Sequence, residues 1–103
     1  MVEKLPETTC PIERALMILG RRGTFLIIRD LMGEQKRFSE LQRSTNLPPR
    51  TLSMRLKELE QAGLVTRTQY PEVPPRVEYN LTDHGKSLQS VLDALSAWGE
   101  QVS

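Results

Sequence analysis

The sequence predicts a mainly α-helical domain with one small β-hairpin, and three features of its second half support this prediction. A short helix is indicated at residues 38–41, followed by a turn and by a second helix over 49–62. Two β-patterned runs, 64–70 and 76–81, come next and are joined by the proline-rich segment 71–75. Helix, turn, helix and hairpin in this order indicate a winged helix-turn-helix, a fold that places one helix in the DNA major groove.

Two more helices are predicted before this unit. Cys10 is suited to be the N-cap of the first, because Pro11 favours the first helical position. Thr24 is predicted to cap the second, which ends at Gly33. Residues 1–9 are predicted to form a flexible arm, and 10–103 a single domain that includes all these helices.

Helix boundaries are also predicted within and after the unit. Ser39 and Gln42 match a capping-box pattern for the third helix, and Pro49 and Gly63 bound the fourth. Thr82 is predicted to cap one last helix that extends to about residue 101. The predicted fold is therefore a winged helix-turn-helix with a helix at each end.

Composition limits the class of protein. The 103 residues are enough for one small domain, with 38% hydrophobic and 26% charged residues. A net charge of +1 is no nucleic-acid signature, so any DNA-binding surface must come from the distribution of the cations. One cysteine excludes an intrachain disulfide and fits a reducing compartment, and no apolar run approaches the ~20 residues of a membrane span. We expect a cytoplasmic protein.

The fourth predicted helix has the residues that DNA reading requires. If Leu52, Leu56 and Leu59 face inward, a polar face points outward at helical spacing. This face and its flanks comprise Arg50, Thr51, Ser53, Met54 and Lys57. Arginine can bind guanine, lysine can pair with phosphate, and a methionine can contact a thymine methyl. The alternative is an ordinary solvated face, but the surrounding helix-turn-helix order favours DNA.

Four further residues are predicted to contact DNA outside this helix. Arg67 and Arg76 lie on the two strands of the hairpin, where a wing meets the backbone or the minor groove. Glu72 at the hairpin tip opposes this prediction because its charge repels phosphate. Arg37 and Ser39 precede the third helix and are candidate phosphate contacts.

Segments along nearly the whole chain resemble the HxlR family of winged helix-turn-helix regulators, relatives of the MarR group. The matching segments are 10–13 (CPIE), 26–31 (LIIRDL), 36–41 (KRFSEL), 56–65 (LKELEQAGLV), 70–79 (YPEVPPRVEY), 81–82 and 97–98. The segment 70–79 is the most specific. The resemblance implies a homodimeric DNA-binding transcription factor, often a repressor, and in some members a sensor of electrophiles or oxidants.

One departure from the family pattern lies between the first two helices. The family usually has Gly-Gly-Lys-Trp where this chain has Gly20, Arg21, Arg22 and Gly23. The space that the tryptophan would fill is either refilled by neighbouring side chains or open as a pocket for a small-molecule effector. Refilling is favoured because protein interiors contain few voids.

Cys10 is a candidate redox-sensing residue. A helix N-terminus and the nearby Arg14 both favour the thiolate over the thiol. Its position also resembles that of the reactive cysteine in redox-sensing family members. The alternative is an inert cysteine. With one cysteine in the chain, oxidation would have to give an intersubunit disulfide or a capped thiol.

Apolar residues of the first and last helices are predicted to form a dimer interface. In the last helix, apolar residues recur at steps of 3, 4, 3 and 4 from residue 88 to 102. The predicted interface comprises Ile12, Leu16, Leu88, Val91, Leu92, Leu95 and Trp98. A two-fold dimer would present two recognition helices ~34 Å apart and would read a palindrome.

Two other classes of function remain open. A winged helix can serve as a protein-protein interaction module, which near-neutral charge and Glu72 favour slightly and the cations of the fourth helix oppose. An enzyme is the least favoured, because the chain has no glycine-rich phosphate loop, no cluster of metal ligands and no nucleophile with a base. We expect no cofactor and no metal.

Overall fold

The computed structural model describes residues 10–102 and confirms the mainly helical winged helix-turn-helix. Its elements are α1 (Pro11–Leu19), α2 (Thr24–Leu31), β1 (Lys36–Arg37), α3 (Phe38–Thr45), α4 (Pro49–Gln61), β2 (Val65–Tyr70), β3 (Arg76–Leu81), α5 (Asp83–Lys86) and α6 (Gln89–Gly99). The strands form an antiparallel sheet in the order β1-β3-β2. The arm predicted at residues 1–9 lies outside the described residues.

The core lies beneath α4, where α2 and α3 meet the sheet. Its fully buried side chains are almost all leucine and isoleucine, and they include the three leucines predicted to face inward from α4. The buried apolar residues are Leu19, Ile27, Ile28, Leu31, Leu41, Leu47, Leu52, Leu56, Leu59, Leu64, Val65 and Leu81. Burial of one such leucine contributes roughly 1.5–3 kcal/mol, so this cluster is the main source of stability.

The start of α2 differs from the prediction. Gly23, and not Thr24, is the N-cap, with a φ of 84° that favours glycine. Thr24 is instead buried in the first turn. A Cβ on Gly23 would lie 2.5 Å from Leu47 Cδ1, because Leu47 occupies the space beside this glycine. The refilled alternative is therefore the one found at this position, and the effector pocket is absent from it.

The predicted last helix is two helices. Thr82 caps α5 as expected, since its Oγ1 accepts a hydrogen bond from the Gly85 amide at 3.0 Å. The Leu88 amide then bonds to the Gly85 carbonyl at 3.1 Å, a tighter turn that separates α5 from α6. Leu88 and Leu92 consequently pack against the core.

The sheet contains one strand and one buried residue that the sequence did not predict. Strand β1 is too short to show an alternating pattern, and it pairs Lys36 with Tyr79 and Arg37 with Glu78. Glu78 on β3 is a charged residue, yet it is only 9% exposed. The reason is that β1 and β2 flank it on both sides.

No helix within residues 10–102 is both long and apolar enough to cross a membrane.

Candidate nucleic-acid interface

The helix-turn-helix consists of α3, a three-residue turn and α4. The α3 helix ends at Asn46, whose φ of 55° reverses the chain, and the Asn46 amide bonds to the Gln42 carbonyl at 2.9 Å. Pro48 and Pro49 then begin α4, as predicted. The buried Thr45 Oγ1 donates to the Leu41 carbonyl at 2.6 Å within α3 and accepts from the Leu47 amide at 3.4 Å, which ties the turn to α3.

The two faces of α4 are distinct. Leu52, Leu56 and Leu59 are at most 2% exposed and form its inner face, as predicted. On the outer face, Arg50, Ser53, Met54 and Lys57 are exposed, and Thr51 is half-buried. Met54 is 47% exposed and places an apolar side chain among these polar ones. The outer face thus presents two cations, two hydroxyls and one thioether together.

The entry to α3 differs in detail from the prediction. Arg37 is the N-cap, so Ser39 lies in the first turn and the predicted capping by Ser39 with Gln42 is wrong. The Arg37 amide donates to Glu40 Oε1 at 2.8 Å. The Glu40 carboxylate therefore already accepts a hydrogen bond from this amide. The candidate phosphate contacts are the Arg37 guanidinium and the Ser39 hydroxyl, both of which are exposed.

The two arginines of the hairpin have different surroundings. Arg67 is exposed and, within residues 10–102, has no acidic side chain close enough for an ion pair. Arg76 is half-buried, and its guanidinium pairs with Glu72 at 2.8 Å and with Glu78 at 3.3 Å. Glu72, predicted to repel phosphate, is therefore paired inside the wing, although one arginine cannot neutralise both carboxylates.

An arginine on the flank of α4 connects this helix to the turn between α1 and α2. Arg55 Nε donates to the Arg22 carbonyl at 2.9 Å, and Arg55 Nη1 pairs with Glu58 at 3.2 Å. Glu58 also pairs with Arg21 at 3.6 Å. Sequence reasoning missed this connection, because the carbonyl of residue 22 carries no side-chain signal.

A second polar connection joins α2 to α3 through Asp30. Its carboxylate accepts hydrogen bonds from Arg29 Nε at 2.8 Å and from the Ser44 hydroxyl. Burial raises the pKa of the Asp30 carboxyl, but the hydrogen bonds from Arg29 and Ser44 outweigh burial, so the pKa is lowered. Asp30 therefore stays ionised and holds α3 against α2.

The terminal helices leave apolar side chains in solvent. The helix α6 has no buried residue, and α1 buries only Leu19. The exposed apolar residues on the two helices are Ile12, Leu16, Val91, Leu95 and Trp98, with Val102 just beyond α6. Of the predicted dimer residues, Leu88 and Leu92 differ because they are half-buried against the chain's own core. Cys10, at the N-cap of α1, is half-buried.

Known proteins are similar to this chain in sequence and in architecture. A family model described as HxlR-like helix-turn-helix matches residues 18–103. The HTH-type transcriptional regulator YvaP of Bacillus subtilis is 46% identical over 94 residues, 89% of this chain and 87% of that protein. The reduced form of the transcriptional regulator YodB from B. subtilis matches with a TM-score of 0.80 and 41% identity, over 92% of this chain and 95% of that one. The redox regulator HypR in its oxidized form matches with a TM-score of 0.85 and 35% identity, over 91% and 98%.

Proposed function

Because the chain belongs to the HxlR-like helix-turn-helix family of transcriptional regulators, we propose that it is a homodimeric repressor that reads palindromic operator DNA with α4. The observation that supports this most directly is the outer face of α4. Within residues 10–102, Arg50 and Lys57 are exposed and form no ion pair with an acidic side chain. Two cations that are not neutralised by the protein are available to bases and phosphates. We place its action in the cytoplasm.

The architecture around α4 suits insertion into a groove. The hydrogen bond from Arg55 to the Arg22 carbonyl and the buried leucines hold the helix from behind. Arg37 and Ser39 at the start of α3 are our candidates for backbone contacts on one side, and Arg67 on the wing is our candidate on the other. Such flanking phosphate contacts set the register of a recognition helix on the duplex.

Fluorescence anisotropy with a labelled duplex from upstream of the protein's own gene tests this proposal. Affinity should fall steeply with salt, because each neutralised phosphate adds about 0.9 to the slope of log K against log salt. Lys57→Ala should weaken binding and reduce the slope by about 1, and adding Arg50→Ala should weaken binding further. The control Lys86→Ala removes an exposed lysine from α5 and should change neither quantity.

Binding that is weak, insensitive to salt and equal in all variants would contradict DNA reading by α4. It would favour the alternative, a winged helix that contacts protein.

The dimer is proposed from the terminal helices. Within residues 10–102, the large apolar side chains of α1 and α6 remain exposed, and exposing them to water is unfavourable. Pairing these helices between two copies would bury them and would fix the distance between two α4 helices. A chain of this size buries only roughly 60–70% of the surface that it exposes when unfolded, so burial between two copies would add stability.

Cys10 is our candidate for effector response. It is the N-cap of α1, two residues before the exposed Ile12 of the proposed dimer face, so an adduct there would alter that face. The relative YodB has been solved in a quinone-bound form. We expect a Cys10 thiolate to add to a quinone, forming a carbon–sulfur bond and a hydroquinone thioether. Benzoquinone should then reduce DNA affinity of the wild type and leave Cys10→Ser unchanged; equal loss in both would exclude Cys10.

A further inference from the structure

The wing carries two arginines, and only one of them is available to DNA. We propose that Arg76 is a positioning residue that fixes the shape of the wing without contacting DNA, and that Arg67 is the cation through which the hairpin meets the phosphate backbone. This inference rests on the proposed DNA-reading function. The sequence predicts a DNA contact for each of the two arginines, and we assign that contact to Arg67 alone.

The Arg76 guanidinium is surrounded on three sides. Its Nη2 lies 2.8 Å from Glu72 Oε2, its Nη1 lies 3.3 Å from Glu78 Oε2, and its Cζ lies 4.2 Å from the centre of the Tyr70 ring. The third nitrogen, Nε, is buried and has no hydrogen-bond partner among the described residues. A planar guanidinium can bridge two carboxylates and stack on an aromatic ring at once, which a lysine cannot do. We call this group of four residues the wing clamp.

Withdrawal of Arg76 from the clamp would leave a buried charge behind. The side chain of Glu78 is only 11% exposed and lies between β1 and β2. A buried carboxylate that loses its cation is strongly unfavourable, and a phosphate cannot compensate because it is also negative. The Arg76–Glu78 pair is therefore expected to persist when DNA binds.

The clamp lies where it can orient the tip of the hairpin. Tyr70 and Arg76 are the last paired residues before the tip, and Glu72 lies within it. All residues of the tip, 71–75, are exposed, and Val73 is fully so. Because Glu72 pairs with Arg76, its carboxylate is held at the clamp, and the rest of the tip consists of Val73 and three prolines. Such an apolar tip is compatible with close approach to the sugar edges of a minor groove.

Arg67 has the opposite environment. It lies on β2 opposite Tyr79, it is exposed, and no carboxylate in the described part of the chain lies within ion-pair distance of it. Its charge is therefore available to a phosphate. A phosphate contact depends on charge more than on shape, so lysine should replace arginine here and should fail at position 76.

Anisotropy titrations over a series of salt concentrations separate the two roles, with a fluorescein-labelled duplex from upstream of the protein's own gene. We expect Arg67→Gln to weaken binding and to reduce the salt slope by about 1, and Arg67→Lys to behave as the wild type. Arg76→Lys and Arg76→Gln should both weaken binding about tenfold and leave the slope unchanged. Hydrogen exchange should show faster exchange of the Tyr70, Glu72 and Arg76 amides in both Arg76 variants.

Wild-type affinity in Arg76→Lys, or a slope reduced by about 1 in Arg76→Gln, would overturn the inference while leaving DNA binding intact. If the wild type shows no salt-dependent binding, the proposed function fails and the inference fails with it. Glu72→Gln tests the clamp even if the Arg76 variants do not fold, because it removes only the more exposed carboxylate. The clamp predicts weaker binding, whereas a purely repulsive Glu72 predicts tighter binding, which would overturn it.

Discussion

The helices α4 and α6 are similar in length but differ in the burial of their apolar faces: α4 packs its leucines into the core, whereas α6 leaves its apolar side chains exposed or half-buried. In α4, three leucines are at most 2% exposed and the opposite face is polar. In α6, no residue is buried and Trp98 is 66% exposed. An apolar face packed inward is stable alone, whereas an apolar face in water needs a second surface. We infer that the exposed polar face of α4 binds DNA and that the exposed apolar face of α6 binds a second copy of the chain.

The largest effect is expected from charging α6. Leu95→Glu with Trp98→Glu should prevent dimer formation, because two carboxylates would have to be buried between the copies. Loss of the second linked recognition helix should then reduce operator affinity by about 10²–10⁴-fold. Sedimentation equilibrium and anisotropy measure the two effects.

The matched control for α6 is Ser90→Glu, which adds one charge to an exposed polar position of the same helix. It should leave the dimer and the affinity nearly unchanged. A wild type that sediments as a monomer at micromolar concentration would contradict the proposed role of α6.

Truncations on the two faces of α4 should differ in their effect on stability. Leu56→Ala should lower the free energy of unfolding by about 2–5 kcal/mol, because Leu56 is 2% exposed and its loss leaves a cavity. Met54→Ala, on the exposed face, should change it by less than about 0.5 kcal/mol. Urea denaturation compares the two variants, and equal losses would mean that the outer face of α4 is also packed.

Gly23 lies between α1 and α2 and packs beside Leu47, in the turn that precedes α4. Gly23→Ala should destabilise the fold by about 1–2 kcal/mol, because φ is 84° and the new methyl would meet Leu47 at 2.5 Å. Gly63→Ala should have a smaller effect, because its φ is also positive but no atom lies within 4 Å of the new Cβ. Gly33 has no positive φ and no atom within 4 Å of the new Cβ, so Gly33→Ala serves as the control in thermal melts. Equal melting temperatures for all three would show that Leu47 moves aside freely.

The smallest effect is expected at Asp30, which holds α3 within the DNA-reading unit. The pKa of its carboxyl is lowered by the hydrogen bonds from Arg29 and Ser44 against the raising effect of burial. A carboxyl with a lowered pKa in the folded state stabilises the fold above its unfolded pKa of ~3.9, and this contribution is lost as the pH falls through the folded value. Arg29 is half exposed, so the effect should be below about 1 kcal/mol.

Asp30→Asn should therefore reduce stability at pH 7 and have little effect at pH 2. Urea denaturation at the two pH values checks this, and a reduction that is the same at both would contradict an ionic role for Asp30.

The sequence predicted the elements that rest on periodicity and on helix-boundary residues. Helix α4, its buried leucines and the two long strands agree with the structure, because Pro49, Gly63 and the 3.6-residue repeat are local signals. The family resemblance indicated the fold as a whole. Predicting these features required no information about contacts between residues that are distant in the sequence.

Features that depend on contacts between distant residues were not predictable. The burial of Glu78 requires β1, which is too short to be recognised, and the role of Arg76 follows from that burial. Similarly, Leu88 and Leu92 continue the apolar repeat of α6, yet the turn after α5 directs them to the core. In the candidate site, the exposed face of α4 agreed with the expectation, whereas the pairing of Arg76 came only from the structure.

Hydroxyl-radical footprinting of the bound operator tests the central claim most directly, which is that paired terminal helices hold two α4 helices at a fixed spacing on DNA. We predict two protected segments whose centres are about one helical turn, ~34 Å, apart, and their loss in the variant with Leu95→Glu and Trp98→Glu. A single protected segment, unchanged in that variant, would contradict the account.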